Sequence, residues 1–312
     1  MQKEILIAVD DSIHSQYAVQ YALSMSAIVK NLTYTLLKIQ PTISQYIIEE
    51  SRRSPVERAK LKQIIQKNSA KAQKALDRFE NRMIDFGIDQ SRIKTVNRIR
   101  IDGIAKDILD YALEKKPDAI VVGRRGISKV QEMLMGSVTG KLMEHSTVTP
   151  IWIVDDNVEF SKMMLAVDGS ESSLRAVDHV SFMLQGNSDI TITILHVTPK
   201  FGDVNPIDFD IDIQEDEKIG ELIIKGEKRR IDNFFAHASE IFNKAGISSD
   251  QLEIRNVKCN INVSKTIINE ARKCNCKTLV VGRSGINKSF FFGNVSRYVI
   301  EKTSDFATWL VP

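Results

Sequence analysis

The chain has 312 residues, 43% hydrophobic and 27% charged, with a formal net charge of +3. That balance suits a globular protein with room for two cores, and it excludes a disordered or collagen-like chain. No apolar run approaches the ~20 residues that span a bilayer, and no basic run is interleaved with aromatics, so neither a membrane nor a nucleic-acid partner is expected.

The first half opens on a strand, Ile5–Val9, followed by Asp10-Asp11-Ser12 and a helix through Ala18–Val29. A second strand, Tyr34–Ile39, ends at Pro41, and residues 42–54 read as a polar loop. Leu61, Ile65, Ala72, Leu76, Phe79 and Met83 then recur at helical steps, one stripe of a long helix that faces a core. Gly87 suits its C-terminal cap. A strand at Ile93–Val96, a helix over Ala105–Leu113 and the apolar strand Ala119–Val122 come next. A glycine-rich loop, a helix from about Ser137 and the strand Ile151–Val154 finish the half. Short uninterrupted apolar strands alternating with helices predict a parallel sheet covered on both faces.

The second half repeats this order from Met163–Val167 to a final Trp309-Leu-Val. Asp10 matches Asp168, Gly123 matches Gly282 and Trp152 matches Trp309, at separations of 157 to 159 residues. Each copy has the size of one ordinary domain. The seam is placed at Asp155-Asp156-Asn157, giving domain 1 as 1–157 and domain 2 as 158–312. The acidic stretch 202–217 of domain 2 reads as a mobile loop.

Two sites stand at predicted strand ends in domain 1, and ligands of parallel sheets bind at such ends. The first is Asp10, whose carboxylate suits Mg²⁺ or a ribose hydroxyl, with capping of the next helix as the bland alternative. The second is Gly123-Arg124-Arg125-Gly126, followed by Gly136-Ser137-Val138-Thr139 at a helix start. Glycines there let backbone N–H groups and a positive helix end approach a phosphate, although tight turns alone also need glycine. No GxxxxGK[ST] motif occurs, no histidines have metal spacing, and no nucleophile–base–orienter set stands out. Efficient catalysis is therefore not indicated: a bound triphosphate would find phosphate donors but no obvious residue to activate water.

At this point the residues resemble the universal stress protein family, as a tandem two-domain member, over essentially the whole chain. The family pattern G-x(2)-G-x(9)-G-[ST] is met by residues 123–137, and its V-D-x-S-like turn by Val9-Asp10-Asp11-Ser12. The resemblance implies two tandem Rossmann-like (adenine nucleotide alpha hydrolase-like) α/β domains, each a five-stranded parallel sheet in order 3-2-1-4-5 flanked by helices. It implies ATP or AMP as ligand, with Mg²⁺ reached by Asp10 through the nucleotide. Adenine would pack near Ala8, Val9 and Ile39, and Val122 belongs to the same nucleotide site. Asp10 would sit near the ribose, with Ser12 in the same turn. Gly126, Gly136, Ser137, Val138 and Thr139 would hold the phosphates, which either Arg124 or Arg125 could reach, and Gly123 belongs to the same nucleotide site.

Domain 2 departs from the pattern. Its degenerate site would comprise Val167, Asp168, Val197, Gly282, Gly285, Gly293, Asn294, Val295 and Ser296, but seven residues instead of nine separate Gly285 from Gly293. Asn294 replaces the Ser/Thr, and Phe290-Phe291-Phe292 sits in the shortened loop, poor company for a polyanion. Domain 2 is expected to bind nucleotide weakly or not at all. The leading function is thus an ATP/AMP-binding stress-response regulator with unidentified protein partners. The alternatives are a slow ATPase or adenylate-handling enzyme, and a ligand-free dimerisation or interaction scaffold. A homodimer fits any of these. The N-terminus lacks a signal-peptide layout and the three cysteines form no disulfide framework, so a cytoplasmic location is expected.

Overall fold

The computed structural model describes residues 2–125, 135–158, 160, 162–198, 217–259, 262–285 and 293–312, with the backbone alone at 217–224. The chain divides into two compact units, Met1–Glu159 and Phe160–Pro312.

Unit 1 runs β1 (Lys3–Ala8), α1 (Ile13–Ser26), β2 (Leu32–Ile39), α2 (Gln45–Arg53), α3 (Pro55–Asp85), β3 (Ile93–Arg98), α4 (Ile104–Lys115), β4 (Ala119–Gly123), α5 (Ser137–His145) and β5 (Ile151–Val154). Its strands lie in the order β3-β2-β1-β4-β5, every neighbouring pair parallel. In the register Ile5 faces Tyr34 on β2 and Ala119 on β4, which brings the carboxyl ends of β1, β2 and β4 together. Helix α1 packs against α3, and α4 against α5. This is the two-sided cover that right-handed crossovers produce when strand order reverses beside β1. Strands β1 and β4 are buried along nearly their whole length, as a sheet covered on both faces requires.

Unit 2 runs β6 (Met163–Val167), α6 (Glu171–Met183), β7 (Ile192–Thr198), α7 (Glu217–Lys244), β8 (Leu252–Lys258), α8 (Val263–Lys273), β9 (Thr278–Gly282), α9 (Asn294–Lys302) and β10 (Ala307–Val311). Its parallel order, β8-β7-β6-β9-β10, is that of unit 1. The expected α/β class with flanked parallel sheets is what the chain adopts.

Local chemistry explains the repeated elements. Ser12 and Ser170 cap α1 and α6, each accepting from the N–H three residues on. Ser54 caps α3 in front of Pro55, whose fixed φ suits the first helical position. Gly87 and Gly246, just past α3 and α7, both take positive φ (103° and 76°), which a side chain resists. One expectation fails: residues 45–53 are helix α2, not loop. The segment is polar but has no glycine or proline, and Gln45, Glu49, Glu50, Arg52 and Arg53 form helix readily. A Glu50–Arg53 pair at 2.8 Å and packing on α3 complete it. The acidic stretch 202–216 and Phe290–Phe292 lie outside the described residues. Among the described residues no helix is long and apolar enough to cross a membrane.

Candidate functional site

A cavity of about 590 Å³ opens at the carboxyl ends of β1, β2 and β4 in unit 1, within the size range of small-molecule sites. Ala8, Val9, Ile39 and Val122, with Ile104 and Ile108 from α4, give it an apolar floor. Its polar rim comes from Asp10, Asp11 and Ser15 after β1, Lys38 on β2, Asn68 and Lys71 on α3, and Arg100 after β3. Gly123, Arg125 and the first turn of α5, Gly136 to Thr139, close the β4 side.

Asp10 is fixed before any ligand arrives. Its Oδ1 accepts from the Ser12 N–H at 2.9 Å and from the Ser15 hydroxyl at 2.7 Å, while its own N–H donates to Ser15 Oγ at 2.8 Å. Asp11 bridges Lys38 Nζ at 3.2 Å and Arg78 at 3.0 Å. Lys38 is buried, so this carboxylate supplies its counter-charge.

The glycines expected to approach a phosphate turn out to have different reasons. A Cβ on Gly123 would lie 2.6 Å from the backbone of His14, so glycine is needed there for α1 to cross the end of β4. Gly136 has φ −68°, open to any residue, and its N–H donates to Arg124 O at 3.0 Å. Thr139 is buried and its hydroxyl donates to Gly123 O at 2.9 Å, tying α5 to β4. Ser137, exposed in the first turn of α5, keeps its position beside the positive helix end. Gly126 lies outside the described residues.

Two expected residues are placed elsewhere. Ser12 is used as the α1 cap and does not line the cavity. Arg124 is buried, with Nη1 3.5 Å from Asp155 Oδ2, while Arg125 is the arginine that reaches the cavity. Asp155 also lies 3.6 Å from His14 Nδ1. Burial raises the Asp155 pKa against the pull of Arg124 and lowers that of His14 against the pull of Asp155. Sequence reasoning missed Lys38, Asn68, Lys71 and Arg100, because no motif marks a residue that arrives from a neighbouring helix or strand.

Unit 2 keeps the turn, and its described counterparts of the unit 1 rim differ. Asp168 Oδ1 accepts from the Ser170 N–H at 3.0 Å and the Ser173 hydroxyl at 2.8 Å, matching Asp10 bond for bond. Ser296 Oγ donates to Gly282 O at 2.5 Å, the counterpart of Thr139, and a Cβ on Gly282 would lie 2.6 Å from Ser172 Oγ. Val167 and Val197 are buried at the ends of β6 and β7. Gly293, Asn294 and Val295 begin α9 as Gly136 to Val138 begin α5.

The differences stand at the ligand face. The 159-residue offset between Gly87 and Gly246 pairs Lys71 with Arg230 and Ala72 with Ile231. Arg230 Nη1 donates to Asp168 O at 2.7 Å, and Ile231 Cδ1 would stand 3.1 Å from a Cβ on Gly169. Both side chains therefore fold over the end of β6. A Cβ on Gly285 would lie 2.8 Å from Asp168 Oδ2, which leaves little space beside that carboxylate. At the 158-residue offset of Asp10 and Asp168 Lys38 becomes His196, and at 159 Arg100 becomes Cys259 and Arg125 becomes Ser284.

Each unit is thus a doubly wound α/β domain, and unit 1 has a ligand-sized cleft at its topological switch point. The universal stress protein family model matches residues 1–155 and again 159–304, so the chain belongs to that family. A universal stress protein from Mycolicibacterium smegmatis is 24% identical over 209 residues, covering 65% of this chain and 66% of that relative. Among solved structures, a universal stress protein from Archaeoglobus fulgidus superposes with a TM-score of 0.63 at 18% identity, over 99% of this chain and 97% of that one. A putative universal stress protein from Pseudomonas aeruginosa gives 0.61 at 14%, over 99% and 93%. At these identities the structural likeness speaks for the fold.

Proposed function

We propose that unit 1 binds an adenine nucleotide, ATP or AMP, and that the protein acts as a nucleotide-responsive regulator in which unit 2 binds nucleotide weakly or not at all. The observation that carries this reading is the cavity of about 590 Å³ that joins an apolar floor at Val9 and Ile39 to the first turn of α5. Adenine suits the apolar floor, and the ribose lies toward Asp10. The phosphates face the N–H groups of α5, with Ser137 and Arg125 beside them. Domains 1–157 and 158–312 then carry the intact and the degenerate site respectively. Among the described residues of the cavity the two carboxylates are held by Ser15 and by Lys38 and Arg78, and the reading proposed is binding.

Isothermal titration of the purified chain with ATP and AMP tests this. One site per chain, lost on Gly136→Leu with the fold retained, is the expected result. Two equivalent sites, or unchanged affinity in the variant, would overturn it.

A further inference from the structure

Four cations and two carboxylates line the polar part of the unit 1 cavity: Lys38, Lys71, Arg100 and Arg125 against Asp10 and Asp11. The carboxylates are the groups that could hold a divalent cation; Asp11 is engaged through both oxygens and Asp10 through Oδ1. Asp10 Oδ1 takes two hydrogen bonds, from the Ser12 N–H at 2.9 Å and the Ser15 hydroxyl at 2.7 Å. Asp11 lies between Lys38 at 3.2 Å and Arg78 at 3.0 Å. Magnesium asks for near-octahedral oxygen ligands and gives up its waters reluctantly. At Asp11 it would have to draw the carboxylate away from two cations, one of which, Lys38, is buried, and Asp10 would offer it a single oxygen, Oδ2. Among the described residues no group of three or more acidic, histidine or cysteine side chains is suited to a metal ion.

The cations tell the opposite story. Lys71, Arg100 and Arg125 have no carboxylate at ion-pair distance among the described residues, and they come from three separate segments around one cavity. Arg125 feels Asp155 only at longer range, and that acid is already shared with Arg124 and His14. With Lys38 balanced by Asp11, the described residues of the cavity keep three cations against the single charge of Asp10. The positive end of α5 adds to them. Such a site is short of negative charge, and a polyphosphate supplies it directly.

Resting on the reading that unit 1 binds an adenine nucleotide, we infer that its preferred ligand is the polyphosphate form free of divalent metal, with Lys71, Arg100 and Arg125 doing the neutralising that magnesium does elsewhere. The cavity discriminates by ligand charge, in the order ATP, ADP, AMP. Magnesium chelation of the triphosphate competes with the protein.

The test is titration calorimetry of the full chain with ATP, ADP and AMP, once in EDTA and once in excess MgCl2. In EDTA the affinity rises with phosphate number, and ATP binds at least as tightly as in MgCl2. Lys71→Ala with Arg100→Ala, and separately Arg125→Ala, each weaken metal-free ATP by about tenfold, the scale of a hydrogen bond to a charged group, and weaken AMP less. ATP binding tenfold tighter in MgCl2, or no tighter than AMP in EDTA, would overturn the inference while leaving the nucleotide site standing. No binding of any of the three in either buffer would overturn both. Circular dichroism of the variants, expected to match the parent, separates lost contacts from lost fold.

Discussion

The two units share a backbone plan and a turn chemistry, and they differ where a ligand would lie. Asp10 and Asp168 are held by the same serine pair, and Gly123 and Gly282 give way to the same helix crossing. These repeated features belong to the fold and would persist with no ligand at all. What separates the units is Ala72 against Ile231, and Lys71 directed to a cavity against Arg230 folded onto Asp168 O. A motif therefore reports architecture first, and the residues between motifs decide what lines the strand ends.

The strongest way to break this comparison is at the shared glycines. Gly123→Ala drives a methyl to 2.6 Å from the His14 backbone, and Gly282→Ala meets Ser172 Oγ at 2.6 Å and its carbonyl carbon at 3.1 Å. Overpacking of this kind costs about 1–3 kcal/mol, and the unit 1 variant should sit at the upper end because backbone cannot swing aside as a hydroxyl can. Urea unfolding of each variant reads the loss. Parent-like stability in Gly123→Ala would mean that the glycine serves the ligand and not the helix crossing.

Importing a unit 2 residue sharpens the ligand side. Ala72→Ile places three extra carbons at the cavity wall. It should weaken ATP or AMP binding by at least about tenfold, the effect of losing ~1.4 kcal/mol, with stability changed far less than by Gly123→Ala. An isotherm indistinguishable from the parent would detach the cavity from the nucleotide.

Acid should separate the units next. Burial lowers the pKa of His179 to about 3, and burial likewise lowers that of His196, both in unit 2. Unit 1 has His14, lowered by burial, beside Asp155, raised by burial. A histidine with a depressed folded pKa stays neutral when folded while the unfolded chain takes up protons below about pH 6.5. Its contribution is present above that pH and is lost as pH falls toward the folded value. A carboxylate with a raised folded pKa works the other way, since protonation favours its folded form and offsets part of the His14 loss. Unit 2 should therefore lose stability faster than unit 1 below about pH 6.5. The buried tryptophans report the units separately, Trp152 through Trp309→Phe and Trp309 through Trp152→Phe. Parallel acid profiles would contradict the assignment.

The smallest expected effect is a shared one. Thr139→Val and Ser296→Ala each remove a hydroxyl that ties a helix start to a strand-end carbonyl, at a cost of about 1 kcal/mol apiece. If Thr139→Val instead abolished nucleotide binding at unchanged stability, its hydroxyl would belong to the ligand.

The sequence by itself determined the duplication, the strand–helix alternation and the glycine and serine positions, because periodicity, turn chemistry and spacing are local properties of the chain. It also placed Asp10 and α5 at strand ends, which is enough to locate the cavity. It misread residues 45–53, where polarity alone suggested a loop, and it left Arg124 and Arg125 undivided. Only the tertiary structure decided that Arg124 turns inward to Asp155 while Arg125 faces the cavity, since neighbouring residues at a strand end point to opposite sides. Only the tertiary structure could bring Lys71 and Arg100 to the cavity of unit 1, or turn Arg230 onto Asp168 in unit 2. Lys71 and Arg100 stand 29 positions apart and the Arg230–Asp168 hydrogen bond spans 62, and no local rule reaches across a crossover helix.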